Sequence, residues 1–429
     1  MNKLLLLGLF YTITVSGQVK DSVTDIKIKA GFSHSVGSKK DNYQLVYDGL
    51  YDMSGFAQNL LTLSNLFGRG LDELTCKPDE ITGFNICFEK GNFFGRVLTD
   101  FGLNLIFTSW MSTIQHEFMG HGFRAREFDA RINRYSVPPG IFGDAYVSIH
   151  YEDLPYYGTL LFETGGSESN MVLSRESFRQ NLLNEYFYHY YFYSCALKTD
   201  LSLYILGTPK TGSSEWNNPE NGSDVASYIK TFISKSADDE KKILSSARKG
   251  AFWSLVDPGL LLMFFNYTRD YIVKGRTQVK NPMIRIKNIH FLPFTDFHLS
   301  PFGFEYYIGS YLKYNQTLYE TYYRWSNGNI DGKSYGFGLN MINAFQYKHF
   351  RFDTGFDLWK QDFNLLHYES NATKYYKDIF SGKIFIKTIY QINNTFSFVL
   401  QTSYKGKGFL SGNPIKSGYN AKIGMGFYF

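Results

Sequence analysis

The sequence contains little charge and no long apolar segment. Only 19% of its 429 residues are charged, and the net charge of +5 is spread along the chain without a block of Lys or Arg. Nucleic-acid-binding proteins present such blocks or a basic face, so we expect no nucleic-acid partner. A membrane-spanning helix needs about 20 consecutive apolar residues. The uncharged run at residues 101–114 is shorter and the mean hydropathy is slightly negative, so a multi-helix membrane bundle is excluded.

Cysteine is also scarce, with three residues in the whole chain. Cys76 and Cys87 flank the segment CKPDEITGFNIC, and in an exported protein they are candidates for a disulfide. From their spacing alone, a disulfide and two reduced cysteines are equally expected. Cys195 lies within the aromatic run NEYFYHYYFYSCALK, which favours a buried free thiol.

The N-terminus has the pattern of an export signal. MNKLLLLGLFYTITVSGQ begins with Lys3, continues as an apolar run, and has small residues before Gln18. This pattern predicts a Sec signal peptide at residues 1–17. A retained membrane anchor is disfavoured because the apolar run is too short. No cysteine stands at the cleavage position, so we expect no lipid anchor.

The abundant residues are aromatic, with 34 Tyr and 40 Phe, and from about Phe291 they alternate with small or polar residues. In residues 302–314 one face carries apolar side chains and the other carries Gly, Glu and Lys. Residues 333–347 and 395–405 repeat this pattern. A period of two indicates β-strands.

These strands have the inside-out character of an outer-membrane barrel. They are long, their apolar face is aromatic, and their other face carries Gly or charged residues. In a transmembrane barrel the outer face of the strands contacts lipid and the inner face is polar, which gives this pattern. A soluble β-sandwich is the alternative. About eight strands are expected, joined by polar tips such as SNGNIDGKS and SGNPIKSGYN.

The last residues, AKIGMGFYF, alternate in the same way and end on Phe429. They resemble the terminal strand of Gram-negative outer-membrane proteins, which the barrel-assembly machinery recognises. That resemblance implies a cell outer-membrane location, with outer-membrane lipid and the assembly machinery as partners.

The region before the strands has helical spacing. We expect a buried helix at residues 101–114, and further helices at 167–197, 224–248 and 250–274, the last with Pro258 inside it. Residues 208–224, TPKTGSSEWNNPENGSD, are expected to form a polar loop. The predicted fold class is therefore α+β. A mostly helical region at 18–285 precedes an antiparallel transmembrane β-barrel at 286–429.

One segment of the helical region carries a candidate metal site. In STIQHEFMGHGFRAREF, His116 and Glu117 are followed by His121. On a regular α-helix residues five apart point roughly 140° apart, too far to hold one ion. Local widening to i→i+5 hydrogen bonding would return them to nearly one face, and such π-bulges cluster at functional sites. Gly120 makes such a distortion easier.

The motif HEFMGHG resembles the HExxGHG segment of dipeptidyl peptidase III, a family of zinc peptidases. The resemblance implies that His116 and His121 are zinc ligands. It also implies that Glu117 is the general base that activates a zinc-bound water. The carboxylate that serves as third ligand in that family lies in an E-E-x-x-x-E pattern, which this sequence lacks.

The best substitute for the third ligand is Glu168 in FETGGSESNMVLSRE, behind a Gly165-Gly166 break and at the start of a predicted helix. Glu163, before the same glycines, is the less favoured choice. His150 and His189 are expected to be structural.

Three functions agree with these features. The first is an outer-membrane-associated zinc metallopeptidase that hydrolyses a peptide or protein substrate. The second is a non-enzymatic barrel that acts as an envelope scaffold or accessory subunit. The third is a transport barrel plugged by residues 40–280. The intact His-Glu-His triplet favours the first.

Overall fold

The structure, a computed structural model, describes residues 42–48, 52–76, 93–139, 144–217, 223–234, 239–326, 333–362 and 378–428. The described residues belong to one compact unit, Asp41–Tyr428. The predicted signal peptide, the Cys76–Cys87 pair, the tip at residues 327–332 and the terminal Phe429 lie outside the residues whose side chains are described. Cys195 is a buried free thiol, as predicted.

The chain is a mixture of helices and strands, as predicted. The α-helices, in chain order, are α1 (Met53–Cys76), α2 (Phe93–Thr99), α3 (Leu105–Ile114), α4 (Gly122–Glu127), α5 (Tyr156–Leu182), α6 (Tyr191–Ala196), α7 (Asp200–Gly207), α8 (Ser214–Asn217), α9 (Asp224–Ile233), α10 (Glu240–Leu255) and α11 (Pro258–Tyr267). Three of the described segments are π-helical: π1 (Asp100–Asn104), π2 (Gln115–His121) and π3 (Thr268–Val273). Among the described residues, no helix is long and apolar enough to cross a bilayer.

Several predicted helix bounds were wrong, for local reasons. The helix expected at 167–197 begins at Tyr156 and ends at Leu182, because the Gly165-Gly166 pair lies inside it rather than breaking it. The helix expected at 224–248 is divided into α9 and α10, and Asp239 caps the second by accepting a hydrogen bond from the Lys241 N–H. Pro258 occupies the first turn of α11, where its missing N–H costs nothing.

The strands form one large antiparallel sheet. They are β1 (Asn42–Asp48), β6 (Ile284–Ile286), β7 (Ile289–Ser300), β8 (Gly303–Tyr314), β9 (Thr317–Ser326), β10 (Ser334–Tyr347), β11 (Phe350–Gln361), β12 (Ile379–Gln391), β13 (Phe396–Lys405) and β14 (Gly418–Tyr428). Two short ladders join β2 (Ile132–Ser136) to β3 (Tyr146–Ile149) and β4 (Tyr186–Tyr188) to β5 (Gln278–Lys280). The predicted set of about eight C-terminal strands is confirmed as β7 to β14.

The ten-stranded sheet has the order β1-β14-β13-β12-β11-β10-β9-β8-β7-β6. Within the described ranges it does not close into a barrel, since β1 and β6 are its two edges. Helices lie near both ends: α1 packs on β1, whereas α10 and α11 pack on β7. The closed barrel expected from periodicity alone is thus an open sheet in the described part of the chain, with helices against its β1 edge and against β7 near the other edge.

The two faces of the sheet differ as the alternation predicts. One face exposes apolar side chains, among them Ile308, Phe337, Leu358, Ile384, Ile386, Phe398, Leu400, Ile423 and Met425. The opposite face buries polar and charged side chains, among them Glu305, Glu320, Arg324, Asp353, Asp357, Lys387, Lys405 and Lys422. A water-soluble protein normally has the reverse arrangement.

Helix α5 packs against the charged face and is buried over most of its length. Arg179 donates to Glu320 on β9 at 2.5 Å, and Arg175 lies 3.7 Å from Asp296 on β7. These buried ion pairs anchor α5 to the sheet, because leaving either charge unpaired in the interior would cost several kcal/mol (about 3–5). The sheet thereby holds in place the helix that lies across the candidate site.

Candidate metal centre

The residues of the HEFMGH motif lie on a π-helix. Segment π2 runs from Gln115 to His121, between α3 and α4. Its i→i+5 hydrogen bonding brings His116 and His121 together, with ring centroids 4.9 Å apart. The local widening expected from their spacing is confirmed.

The glycines at this point allow two helix backbones to touch. A Cβ on Gly120 would lie 2.5 Å from the Gly166 Cα and 2.6 Å from the Gly165 carbonyl oxygen. A Cβ on Gly166 would lie 2.1 Å from Nε2 of His116. The absence of side chains here is what lets π2 pack directly on α5. This contact offsets the roughly 1 kcal/mol that each glycine costs inside a helix.

The third member of the site is Asp224, the first residue of α9. Its Oδ2 lies 3.3 Å from Nε2 of His116 and 3.3 Å from Nε2 of His121. Ser223 caps α9 by accepting from the Ala226 N–H, and the backbone N–H of Asp224 donates to the Tyr204 hydroxyl at 3.0 Å. These contacts hold the carboxylate against both imidazoles.

The spacing of these atoms suits a metal ion. One ligand atom from each of His116, His121 and Asp224 lies within 4.8 Å of the others. Ligands held tetrahedrally at about 2.0–2.1 Å from zinc are about 3.3–3.4 Å apart, which matches both nitrogen–oxygen distances. Two imidazoles and one carboxylate leave a fourth position open, as in catalytic zinc sites.

The far nitrogen of each imidazole is also held. Nδ1 of His121 lies 2.6 Å from the carbonyl oxygen of Phe162, so it carries the proton and leaves Nε2 to face Asp224. Nδ1 of His116 lies 3.5 Å from the amide nitrogen of Asn170, which donates to Asp200 at 2.9 Å. The contact with Phe162 fixes the orientation of the His121 ring before any ion binds.

The charges of the trio formed by His116, His121 and Asp224 stabilise one another. Burial lowers the pKa of His121, but the Asp224 carboxylate outweighs it and raises that pKa to about 10. The pKa of His116 is also raised, because the hydrogen bond to Asp224 overcomes burial. Burial raises the pKa of Asp224, yet the two imidazoles bring it below its usual value. An incoming metal ion must therefore displace protons from the imidazoles.

Glu117 lies beside this group without belonging to it. The residue is 5% exposed, and burial raises the pKa of its carboxyl group despite the neighbouring imidazoles. Within the described ranges its carboxylate has no hydrogen-bond partner. A buried, unengaged carboxylate next to a metal position is available to accept a proton.

A second acid, Glu163, faces the site from α5. Its Oε1 accepts a hydrogen bond of 2.9 Å from the Tyr151 hydroxyl. Burial, together with the Asp224 charge, raises the pKa of Glu163 to about 8. Glu163 is therefore protonated at neutral pH, and it is not one of the three ligand-distance residues.

Glu168, the expected third ligand, is placed elsewhere. Its carboxylate accepts from Nη2 of Arg124 at 2.5 Å and from Nε of Arg124 at 3.0 Å. It also accepts from the Gly412 N–H at 2.6 Å. Residues 163 and 168 are five positions apart on a regular α-helix and so point roughly 140° apart. The two candidates cannot face one ion, and Glu168 faces Arg124.

Asp224 was missed as a ligand, although the sequence places it both at the end of the polar loop at 208–224 and at the start of the predicted helix at 224–248. A Ser-Asp pair before an apolar helix marks a helix start, but it carries no signal for a metal. His150 and His189, expected to be structural, stand apart from the site. His150 pairs with Glu152, whereas His189 lies 3.1 Å from the buried Asp100.

No protein-family model matches the chain, and no curated protein or solved structure matches it significantly.

Proposed function

We propose that this protein is a zinc metallopeptidase embedded in the outer membrane of a Gram-negative bacterium. The observation that carries the proposal is the convergence of His116, His121 and Asp224 at the spacing of a three-ligand zinc site, with Glu117 adjacent. The preferred third ligand is now Asp224, because the carboxylate of Glu168 is engaged by Arg124.

The donor set favours zinc among the common metals. Two imidazole nitrogens and one carboxylate oxygen are typical of hydrolytic zinc sites, whereas calcium and magnesium prefer oxygen ligands alone. Bound zinc would polarise a substrate carbonyl and acidify water at the open position. Glu117 acts as the general base, since its carboxylate is adjacent, buried and otherwise unengaged.

Glu163 and Tyr151 supply a second polar pair near the ligands. With the pKa of Glu163 raised to about 8, its carboxyl group keeps a proton at neutral pH and can donate a hydrogen bond. Such a donor suits the oxygen of a peptide carbonyl as negative charge develops on it. The arrangement therefore has a proton acceptor in Glu117 and a proton donor in Glu163.

The membrane location is supported by the exposed face of the sheet. Its large apolar side chains alternate with a buried charged face, the arrangement expected of strands whose outer surface meets lipid. Apolar exposure continues on α10, on α11 and in the turn between them, at Phe252, Val256, Leu261, Phe264 and Phe265. Outer-membrane lipid is the proposed surrounding. Export by the signal peptide and recognition of Phe429 by the assembly machinery remain predictions from the sequence.

A non-enzymatic scaffold is the second candidate. It is favoured by the ion-pair distances within the trio, since an aspartate between two imidazoles can stabilise a fold without any metal. The plugged transport barrel agrees with the position of α5 on the charged face of the sheet, but it gives no role to the group of His116, His121 and Asp224.

The experiment that separates enzyme from scaffold is Glu117→Gln. The substitution keeps size and packing and removes the proton acceptor, so metal content should stay at about one zinc per chain while peptide hydrolysis falls by about 10²–10⁴-fold. Glu152→Gln, at an exposed carboxylate, is the matched control and should behave as wild type. Full hydrolysis by Glu117→Gln would refute Glu117 as the general base, whereas zinc-loaded wild type without peptide hydrolysis would show that the metal is structural.

A further inference from the structure

A second site lies in a cavity of about 430 Å³ between α4, the charged faces of β12 to β14 and the loop that joins β13 to β14. The sequence predicts a polar tip at residues 411–420, within and after that loop. The two residues just before this tip, Phe409 and Leu410, are buried. None of His116, His121 and Asp224 lines the cavity.

The charged lining of the cavity is unbalanced. Four cationic side chains line it, Arg126, Lys383, Lys405 and Lys416, against two acids, Asp52 and Glu127.

Both acids are already paired with cations outside the lining. Asp52 lies 2.5 Å from Nζ of Lys422, and Glu127 accepts from Arg124 at 2.6 Å. Glu127 also accepts from the N–H of Ile415. Both acids thus form their ion pairs with cations outside the lining, and they act on Lys405 and Lys383 only at longer range.

The cations, in contrast, contact neutral acceptors. Lys383 donates to the side-chain oxygen of Asn413 at 2.6 Å, and Lys405 donates to the carbonyl oxygens of Gly406 and Gly408 at 3.0 and 2.5 Å.

Arg126 donates to the Tyr135 hydroxyl at 2.7 Å and to the Phe118 carbonyl oxygen at 3.1 Å. Within the described ranges, none of the four lining cations has a carboxylate within ion-pair distance.

We propose that this cavity binds a small anion through a phosphate or carboxylate group. Lys405 is 5% exposed, and burial lowers its pKa to about 7 because it outweighs the attraction of Glu127, so a bound anion would restore the full positive charge of this lysine. An oxyanion would supply the missing charge and accept charge-assisted hydrogen bonds from the lysines. Lys416, Ser417 and Tyr419 are exposed at the mouth, which gives a ligand a route of entry. The volume also leaves room for an organic group attached to the anion.

The test is isothermal titration of the purified full-length protein, in detergent, with inorganic phosphate and separately with acetate. Wild type should bind at least one of them saturably. Lys383→Gln and Lys405→Gln should each weaken binding by at least about tenfold, because each removes one charge-assisted hydrogen bond. Lys407→Gln, at an exposed lysine that does not line the cavity, is the matched control and should bind as wild type.

The two anions also distinguish the ligand class. Tighter phosphate binding would indicate a phosphoryl ligand, and tighter acetate binding a carboxylate ligand. Failure of both anions to bind saturably would overturn the proposal, as would unchanged binding in both lysine variants, since anion binding at the metal centre would survive these substitutions. If Lys405→Gln does not fold, Lys383→Gln alone decides.

Discussion

Replacing Gly166 by Ala should abolish metal binding although it removes no ligand. The added Cβ would lie 2.1 Å from Nε2 of His116 and 2.4 Å from Cδ2 and Cε1 of the same ring. Contacts below 3.0 Å are essentially never seen for a real Cβ, so the imidazole must move by roughly 1 Å. Zinc–ligand distances tolerate only about ±0.2 Å. His116 would therefore be lost as a ligand.

The same substitution should change stability far less than metal affinity. Alanine is favoured over glycine inside a helix by about 1 kcal/mol. Overpacking at a tight contact costs about 1–3 kcal/mol, so the two effects largely offset each other. Losing an outer-shell partner weakens metal binding by about 10–100-fold. Displacing a direct ligand should weaken it by at least about 100-fold.

The assay measures zinc per chain by mass spectrometry, and zinc affinity by competition with a chelator. Circular dichroism monitors the fold. Gly70→Ala is the matched control, because a Cβ on this helical glycine meets nothing within 4 Å. It should keep wild-type zinc affinity. A folded Gly166→Ala protein that binds zinc as tightly as wild type would refute the assignment of His116 and the geometry derived for it.

Five other substitutions test the remaining features. Asp224→Asn should weaken zinc binding at least about tenfold, whereas Glu168→Gln should leave zinc binding nearly unchanged. Glu168→Gln should instead lower the free energy of unfolding by about 3 kcal/mol, because the buried Arg124 loses a charged partner. Zinc titration measures the affinity, and urea unfolding measures the stability. Weaker zinc binding in Glu168→Gln than in Asp224→Asn would restore Glu168 as the ligand. For Glu163, burial raises the pKa from 4.5 to about 8, so the folded state binds more protons than the unfolded state between those values. Stability of the metal-free protein should then fall as pH rises from about 5 to about 8, and Glu163→Gln should reduce that slope; equal slopes would contradict the assignment. Ile386→Lys, on the exposed apolar face, should cost about 2–4 kcal/mol in lipid and Ile386→Val much less. Equal unfolding midpoints in vesicles would count against lipid contact.

The sequence alone determined the features that depend on local periodicity. Alternation of side chains predicted β8, β10 and β13 nearly to the residue, and it predicted which face of each strand is apolar. The five-residue spacing of His116 and His121, with Gly120 between them, predicted the π-helix. Both inferences succeed because backbone geometry repeats over a few residues and carries side chains to fixed directions.

The third metal-site residue was decided by tertiary structure. Asp224 is brought to the imidazoles by the packing of α9, far along the chain from π2, and no local pattern distinguishes it from other helix-start aspartates. Glu168 looked suitable by spacing, but Arg124 engages its carboxylate. The choice between two carboxylates depends on which cations and helix faces meet them.

The glycines of α5 and the edges of the sheet also depend on contacts that the local sequence does not predict. Gly165 and Gly166 break helices by propensity, yet they lie inside α5 because Gly120 packs directly against them. Alternation predicts a barrel, yet the described sheet stays open, with α1 on β1 and with α10 and α11 on β7. Local sequence sets the direction of each side chain, whereas contacts between distant segments decide which of those side chains meet, and only the folded chain contains those contacts.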